Sequence, residues 1–173
     1  RMPQNRIERQ IHFMTAHPEV DIAGGSQVTF GGGLRVWSKP CTKDEVTAAL
    51  LWVPSLNHPT IIGRKDVLKQ NPYPNGYSLA EDYALWISLA SKGVHMTNVP
   101  DVIHYYRIEG QNTSINGKKE RALRYSKLFK HALQSLLPDS KLEILFKGID
   151  KGCHHRLAGI EIPPELAHPT NHE

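Results

Sequence analysis

Cysteine is nearly absent: Cys41 and Cys153 are the only two in 173 residues, and they lie far apart. They make neither a disulfide framework nor a C-x-x-C metal pair. Two reduced thiols in a cytoplasmic protein is the reading that fits this usage. Long apolar runs are missing too. Nothing approaches the roughly 20 residues a membrane-spanning helix needs, and the opening residues carry no signal-peptide pattern. There is no internal repeat. The formal net charge of +4 is too mild to argue for nucleic acid; a basic helix on an acidic or lipid surface gives the same number. Gly31-Gly32-Gly33 lacks the strand–GxGxxG–helix context of a dinucleotide site. What remains is an ordinary apolar fraction in a chain long enough for a core of its own. Arg1-Met2-Pro3-Gln4-Asn5 leads straight into a helical pattern, as if the chain began mid-domain.

Ile7, Ile11 and Met14 recur at helical spacing, with Gln10 and Phe13 beside them. They predict a helix over 6–16, capped by Asn5 and stopped at His17-Pro18. Val20-Asp21-Ile22-Ala23 reads as a short strand, and Gly24-Gly25 lets the backbone turn or approach something closely. Strands follow at 27–30 and 34–37. Thr42-x-x-Glu45 is a capping box for a helix through Trp52. Residues 57–63 read as a buried strand, and 64–70 as a short helix with Val67 and Leu68 inward. Residues 71–76, with two prolines, are a loop. Ser78-x-x-Glu81 is a second capping box. Its helix runs to Ser91 with Leu79, Tyr83, Trp86 and Leu89-Ala90 as a buried stripe, and Gly93 at C′. Two strands, 94–99 and 102–108, flank a turn at Pro100-Asp101. After Asn116-Gly117 the character changes. Residues 118–137 form a basic amphipathic helix with Ala122, Tyr125, Phe129, Ala132, Leu133 and Leu136 along one side. Residues 141–149 read as another short helix, and the tail beyond Gly152 as mobile.

The strongest chemical signal is Glu81-Asp82. One account is local: Glu81 closes the capping box, and the helix dipole favours Asp82 in the first turn. The other uses the same geometry. A first-turn carboxylate points out of the helix end into a cleft, where it can take a proton from a hydroxyl nucleophile. The Pro/Gly/Tyr-rich loop before it can gate that cleft, which makes Tyr77 a substrate-contact candidate. His58 is either hydrogen-bonded structure or a ligand contact. Arg64 either binds phosphate or pairs with Glu81 or Asp82. Along the last strand, alternation puts Tyr105 and Arg107 on one face and His104 and Tyr106 on the other. Arg107 either lines the cleft or bridges to the Glu81-Asp82 helix. The basic helix is a solvated face or lies on an anionic membrane surface. Nucleic acid is not expected as a partner, since there is no recognised motif and little aromatic interleaving.

Five stretches occur in order: Arg6-Ile7-Glu8-Arg9-Gln10, Val20-Asp21-Ile22-Ala23-Gly24-Gly25, Asn57-His58-Pro59-Thr60, Ala80-Glu81-Asp82-Tyr83-x-Leu85-Trp86, and Tyr106-Arg107-x-x-Gly110-x-Asn112-Thr113-Ser114. Together they resemble the second half of a family 2 glycosyltransferase with the GT-A fold, over roughly residues 3–115. The resemblance implies an α/β fold: a partial GT-A-like mixed sheet flanked by helices, followed by a C-terminal helical extension. The expected division is 1–115 for the acceptor-side half and 116–173 for the extension and tail. It implies Asp82 as catalytic base, Glu81 supporting it, and inverting transfer from a nucleotide-sugar donor to a glycan or lipid-linked acceptor. His58 and Arg64 match a region near acceptor and sugar, and Arg107 an arginine near a closing loop. A divalent metal, Mn²⁺ or Mg²⁺, is expected to stabilise the departing diphosphate, with its ligands outside this chain. Two departures stand out. The family's first half, with its nucleotide-binding strands and Asp-x-Asp, is absent, and Glu109 stands where many relatives have histidine. The expected role is cell-surface polysaccharide synthesis, cytoplasmic or at the inner membrane face through helix 118–137. The alternative is a non-catalytic glycan-binding or assembly module, with an exposed sheet edge favouring a homodimer.

Overall fold

The computed structural model describes residues 1–31, 35–108 and 118–137, with side chains of the last stretch from 124 onward. They build α1 (Arg6–Ala16), β1 (Ile22–Phe30), β2 (Arg35–Trp37), α2 (Lys43–Ala49), a 3₁₀ turn (His58–Thr60), β3 (Ile62–Gly63), α3 (Lys65–Gln70), α4 (Glu81–Ser91), β4 (Met96–Arg107) and α5 (Lys118–Leu136). The α/β class expected from the sequence is the one observed: a four-stranded mixed sheet flanked by helices. These elements form one compact unit, Arg1–Leu136. Residues 138–173, with the helix expected at 141–149 and Cys153, lie outside the described residues, as does Glu109.

The sheet is built on β1. β4 runs parallel to it from Ile22↔Met96 to Phe30↔Arg107. With one edge filled along its length, β2 and β3 share the other, each antiparallel to β1. Two strands were expected on either side of Gly24-Gly25; one is found. The glycines serve close approach, not a turn. A Cβ on Gly24 would lie 2.5 Å from Asn98 Oδ1, and one on Gly25 2.5 Å from the Ile103 side chain. Residues 94–99 and 102–108 are likewise one strand. Pro100 and Asp101 are extra residues between the pairs Gly25↔Val99 and Ser26↔Val102. That bulge is where a sheet tolerates proline.

α1 has the expected bounds, but Asn5 makes no side-chain cap. Its buried face is also not the apolar one. Arg6 and Gln10 are buried, whereas Ile7 and Ile11 are 48% and 53% exposed. The helix docks through hydrogen bonds. The Gln10 amide donates to the carbonyls of Ala23 at 3.3 Å and Thr60 at 2.7 Å, and its Oε1 accepts from Arg6 Nε at 3.0 Å. Burying those carbonyls unpaired would cost about 1–3 kcal/mol each, which outweighs hiding one isoleucine. Ile11 and Met14, with Pro18 and Ile62, line an open hollow of about 400 Å³.

The strand expected at 57–63 is mostly a 3₁₀ turn, and only Ile62–Gly63 pairs. Pro59 offers no N–H to a ladder and is preset for a helical first turn. The Thr60 hydroxyl donates to the Asn57 carbonyl at 2.6 Å and accepts from Gly25 N–H at 3.1 Å, pinning the turn to β1. The Thr42–Glu45 box forms in both directions, though α2 ends at Ala49, short of Trp52. In α3, Val67 packs inward as expected, but Leu68 is 37% exposed.

α4 is buried around nearly its whole circumference: Tyr83, Ala84, Leu85, Trp86, Ile87 and Leu89 are all inside, not a single stripe. It ends in a Schellman motif. Gly93 N–H donates to Ala90 and Val94 N–H to Leu89, with Gly93 at φ +77 as the C′ position demands. α5 covers one side. Its Leu128 and Ala132 join the same cluster as Tyr83 and Trp86. Tyr125 meets Tyr83, and Phe129 meets Trp52, each at 5.1 Å between ring centroids.

Candidate functional site

The second capping box does not form. Ala80, not Ser78, is the N-cap, with no side-chain cap bond, and the helix begins at Glu81. The reason is Leu79. Its φ of +67 turns the chain sharply just before the helix, and Ala80 N–H closes that turn onto the Tyr77 carbonyl at 2.9 Å. A non-glycine residue there carries strain of order 1–3 kcal/mol. The consequence is positional: Glu81 and Asp82 become the first two residues of α4, where the helix dipole favours negative charge. Glu81 is exposed and Asp82 half-buried. Asp82 Oδ1 accepts the Tyr83 N–H at 2.8 Å, which fixes one carboxylate oxygen.

Three other side chains share this corner. His58, carried by the 3₁₀ turn, shares a 2.7 Å hydrogen bond between its Nε2 and the Tyr73 hydroxyl. Its ring lies edge-on to Tyr73 and to Trp86 of α4, at 5.8 and 6.2 Å. The Tyr73 phenol is pushed above its usual range, first by burial and then by the charges of Asp82 and Glu81. Lys39 completes the group. Its backbone N–H donates to Ser26 Oγ at 3.1 Å and its Nζ to the Pro54 carbonyl at 2.7 Å. Burial lowers its pKa, and the charge of Asp82 partly restores it. A half-buried carboxylate thus lies within electrostatic reach of an ammonium and a phenol, and the phenol is hydrogen-bonded to an imidazole. Such a set can take a proton from a hydroxyl and hold a polar substrate in place.

The expected residues divide. Glu81 and Asp82 open α4, and His58 reaches the same helix through Trp86. Tyr77 sits in the loop beside them, but its ring packs against the hydrophobic core. Arg64 is turned elsewhere. Its guanidinium donates to the carbonyls of Val20 at 2.9 Å and Pro18 at 2.7 Å, and Asp21, at 3.9 Å, is its ion-pair partner. A pairing of Arg64 with Glu81 or Asp82 is therefore not formed, because the chain before β1 satisfies it first. Arg107 stands exposed at the end of β4, opposite Phe30. Lys39 and Tyr73 were missed. Lys39 belongs to no motif, and Tyr73 lies inside the proline loop whose gating role was read without naming it. Among the described residues, no three His, Cys, Asp or Glu side chains gather as a metal site would require. The Asp82 cluster therefore offers no ligand set for a divalent ion among the described residues.

No protein-family model matches the sequence, and no solved structure matches it. Two relatives do. An uncharacterized glycosyltransferase of Haemophilus influenzae is 30% identical over 131 residues, 73% of this chain and 48% of that protein. The amylovoran biosynthesis glycosyltransferase AmsE of Erwinia amylovora is 30% identical over 125 residues, 70% of this chain and 45% of that protein. The chain thus spans about half the length of each relative it matches. These two matches, both to proteins named as glycosyltransferases, support a glycosyltransferase family for this chain.

Proposed function

We propose that the chain is the acceptor-side part of an inverting family 2 glycosyltransferase of GT-A type. It would act on a nucleotide-sugar donor and a glycan or lipid-linked acceptor in cell-surface polysaccharide synthesis, as the name of the Erwinia relative suggests. The observation that carries this reading is Asp82, half-buried at the start of α4, with its charge felt at Lys39 and at Tyr73. Asp82 takes the proton of an acceptor hydroxyl. The freed oxygen attacks the anomeric carbon as the bond to the diphosphate breaks. The leaving group departs with the electron pair, and the anomeric centre inverts. Glu81 adds negative charge that favours the proton on Asp82, and the Tyr73–His58 pair orients the acceptor. A divalent cation belongs to this reading, with ligands expected outside this chain.

Contact with an anionic membrane surface, if made by α5, would use its charged side. The apolar side is occupied by α4, and Lys127 and Lys130 face out. No described helix is long and apolar enough to cross a bilayer. A second reading, a non-catalytic module that self-associates, is favoured by the exposed Ile7 and Ile11.

Melting separates the two. In the full-length protein, with nucleotide sugars plus Mn²⁺ at about 100 times Kd, the folded state should gain roughly 2.7 kcal/mol, a clear rise in Tm. A rise needing both sugar nucleotide and metal supports transfer. A Tm that rises only with protein concentration, and with no nucleotide sugar, contradicts transfer and supports self-association.

A further inference from the structure

One aromatic surface takes no part in the Asp82 cluster. In the sheet register, Gln27 of β1 is opposite both Trp37 of β2 and His104 of β4. Thr29 is opposite both Arg35 and Tyr106. Directly opposed residues share a face, so these six side chains form one surface. Trp37 and Tyr106 lean toward each other across β1, their rings stacked at 6.5 Å between centroids and 23° between planes. Gln27 and Thr29 beneath them are buried. His104 stands beside Tyr106 at 6.1 Å and shares a 3.4 Å hydrogen bond with Gln27 Oε1. Trp37 nonetheless remains 47% exposed.

We propose that Trp37 and Tyr106, rimmed by His104 and Arg35, form a shelf that binds one pyranose ring of the acceptor glycan. This rests on the glycosyltransferase reading above. The chemistry fits a sugar better than an apolar partner. A pyranose offers a face of C–H groups that packs on an aromatic ring, with weak C–H···π attraction, and a rim of hydroxyls. The shelf offers aromatic faces with an imidazole and a guanidinium at their border. Its place fits as well. It lies toward the carboxyl ends of the parallel strands β1 and β4, where open α/β sheets bind ligands. It also connects to the chemical centre: Lys39, which feels the charge of Asp82, follows Trp37 by two residues.

The test is calorimetric titration of the chain with glucose and galactose hexasaccharides, comparing wild type with Trp37→Ala and Trp37→Phe. Trp37 is exposed on a short strand, so both variants should melt within a few degrees of wild type. Saturable binding that weakens at least tenfold in Trp37→Ala and recovers in part in Trp37→Phe is the expected result. Binding unchanged in Trp37→Ala overturns the shelf. So does no saturable binding by the wild type, or a Trp37→Ala chain that merely changes from dimer to monomer in sedimentation. Transfer itself is judged separately, by the donor-dependent melting shift, so the shelf can fail while the transferase reading stands.

Discussion

In the full-length protein, Asp82→Asn is expected to lower sugar transfer by about 10²–10⁴-fold, the range that a positioned general base contributes, with the fold intact. The substitution is chosen for what it preserves. Asparagine keeps the side-chain shape, and its Oδ1 can still accept the Tyr83 N–H that Asp82 accepts at 2.8 Å. What goes is the charge, worth roughly 0.3–1 kcal/mol against the helix dipole at a half-exposed site, and the capacity to take a proton. Initial rates, read beside circular dichroism and Tm, check it. The loss should fall on kcat, with KM for the acceptor little changed, because the base acts in the transition state. Turnover undiminished in Asp82→Asn would move the base elsewhere, with the neighbouring Glu81 first in line.

The second large effect concerns stability. Leu128→Ala in α5 is expected to cost about 2–5 kcal/mol, as for other fully buried leucines. Leu128 is 0% exposed and joins the cluster that holds Tyr83 and Trp86 of α4. Domains carry about 5–15 kcal/mol in total, so the urea midpoint should drop steeply with little change in slope. The outcome also bears on where the folded unit ends. Sequence character places a boundary at 115/116, and Leu128 and Ala132 of the helix after it join the core cluster of α4. A midpoint shift below about 0.5 kcal/mol, the size of ordinary surface substitutions, would show that the helix is appended and not integral.

Legibility in the sequence followed the range of the forces. Elements set by local chemistry could be read directly. These include the bounds of α1, the Thr42–Glu45 box, the Gly93 stop and the long α5. Those set by distant partners could not. Pro100-Asp101 looks like a turn until β1 is laid beside it and shows a bulge. Gln10 looks like a flanking residue until the carbonyls of Ala23 and Thr60 need its amide. Ser78 looks like a cap because nothing in the sequence announces the positive φ of Leu79. The candidate site divides in the same way. Glu81 and Asp82 carry a helix-start signature, and His58 sits at a recognisable Asn-His-Pro. Lys39 and Tyr73 join them only through tertiary folding, from loops whose sequence marks them as connections.

Single displacement at the anomeric carbon is tested most directly by following the reaction of the full-length protein with a nucleotide sugar and its acceptor by proton NMR. The anomeric coupling constant gives the configuration of donor and product. With Asp82 as a base on the acceptor hydroxyl, the first product formed has the opposite anomeric configuration to the donor, and Asp82→Asn forms almost none of it. A product that retains the donor's configuration would contradict that role, because retention needs a route other than direct attack by an acceptor that Asp82 has deprotonated.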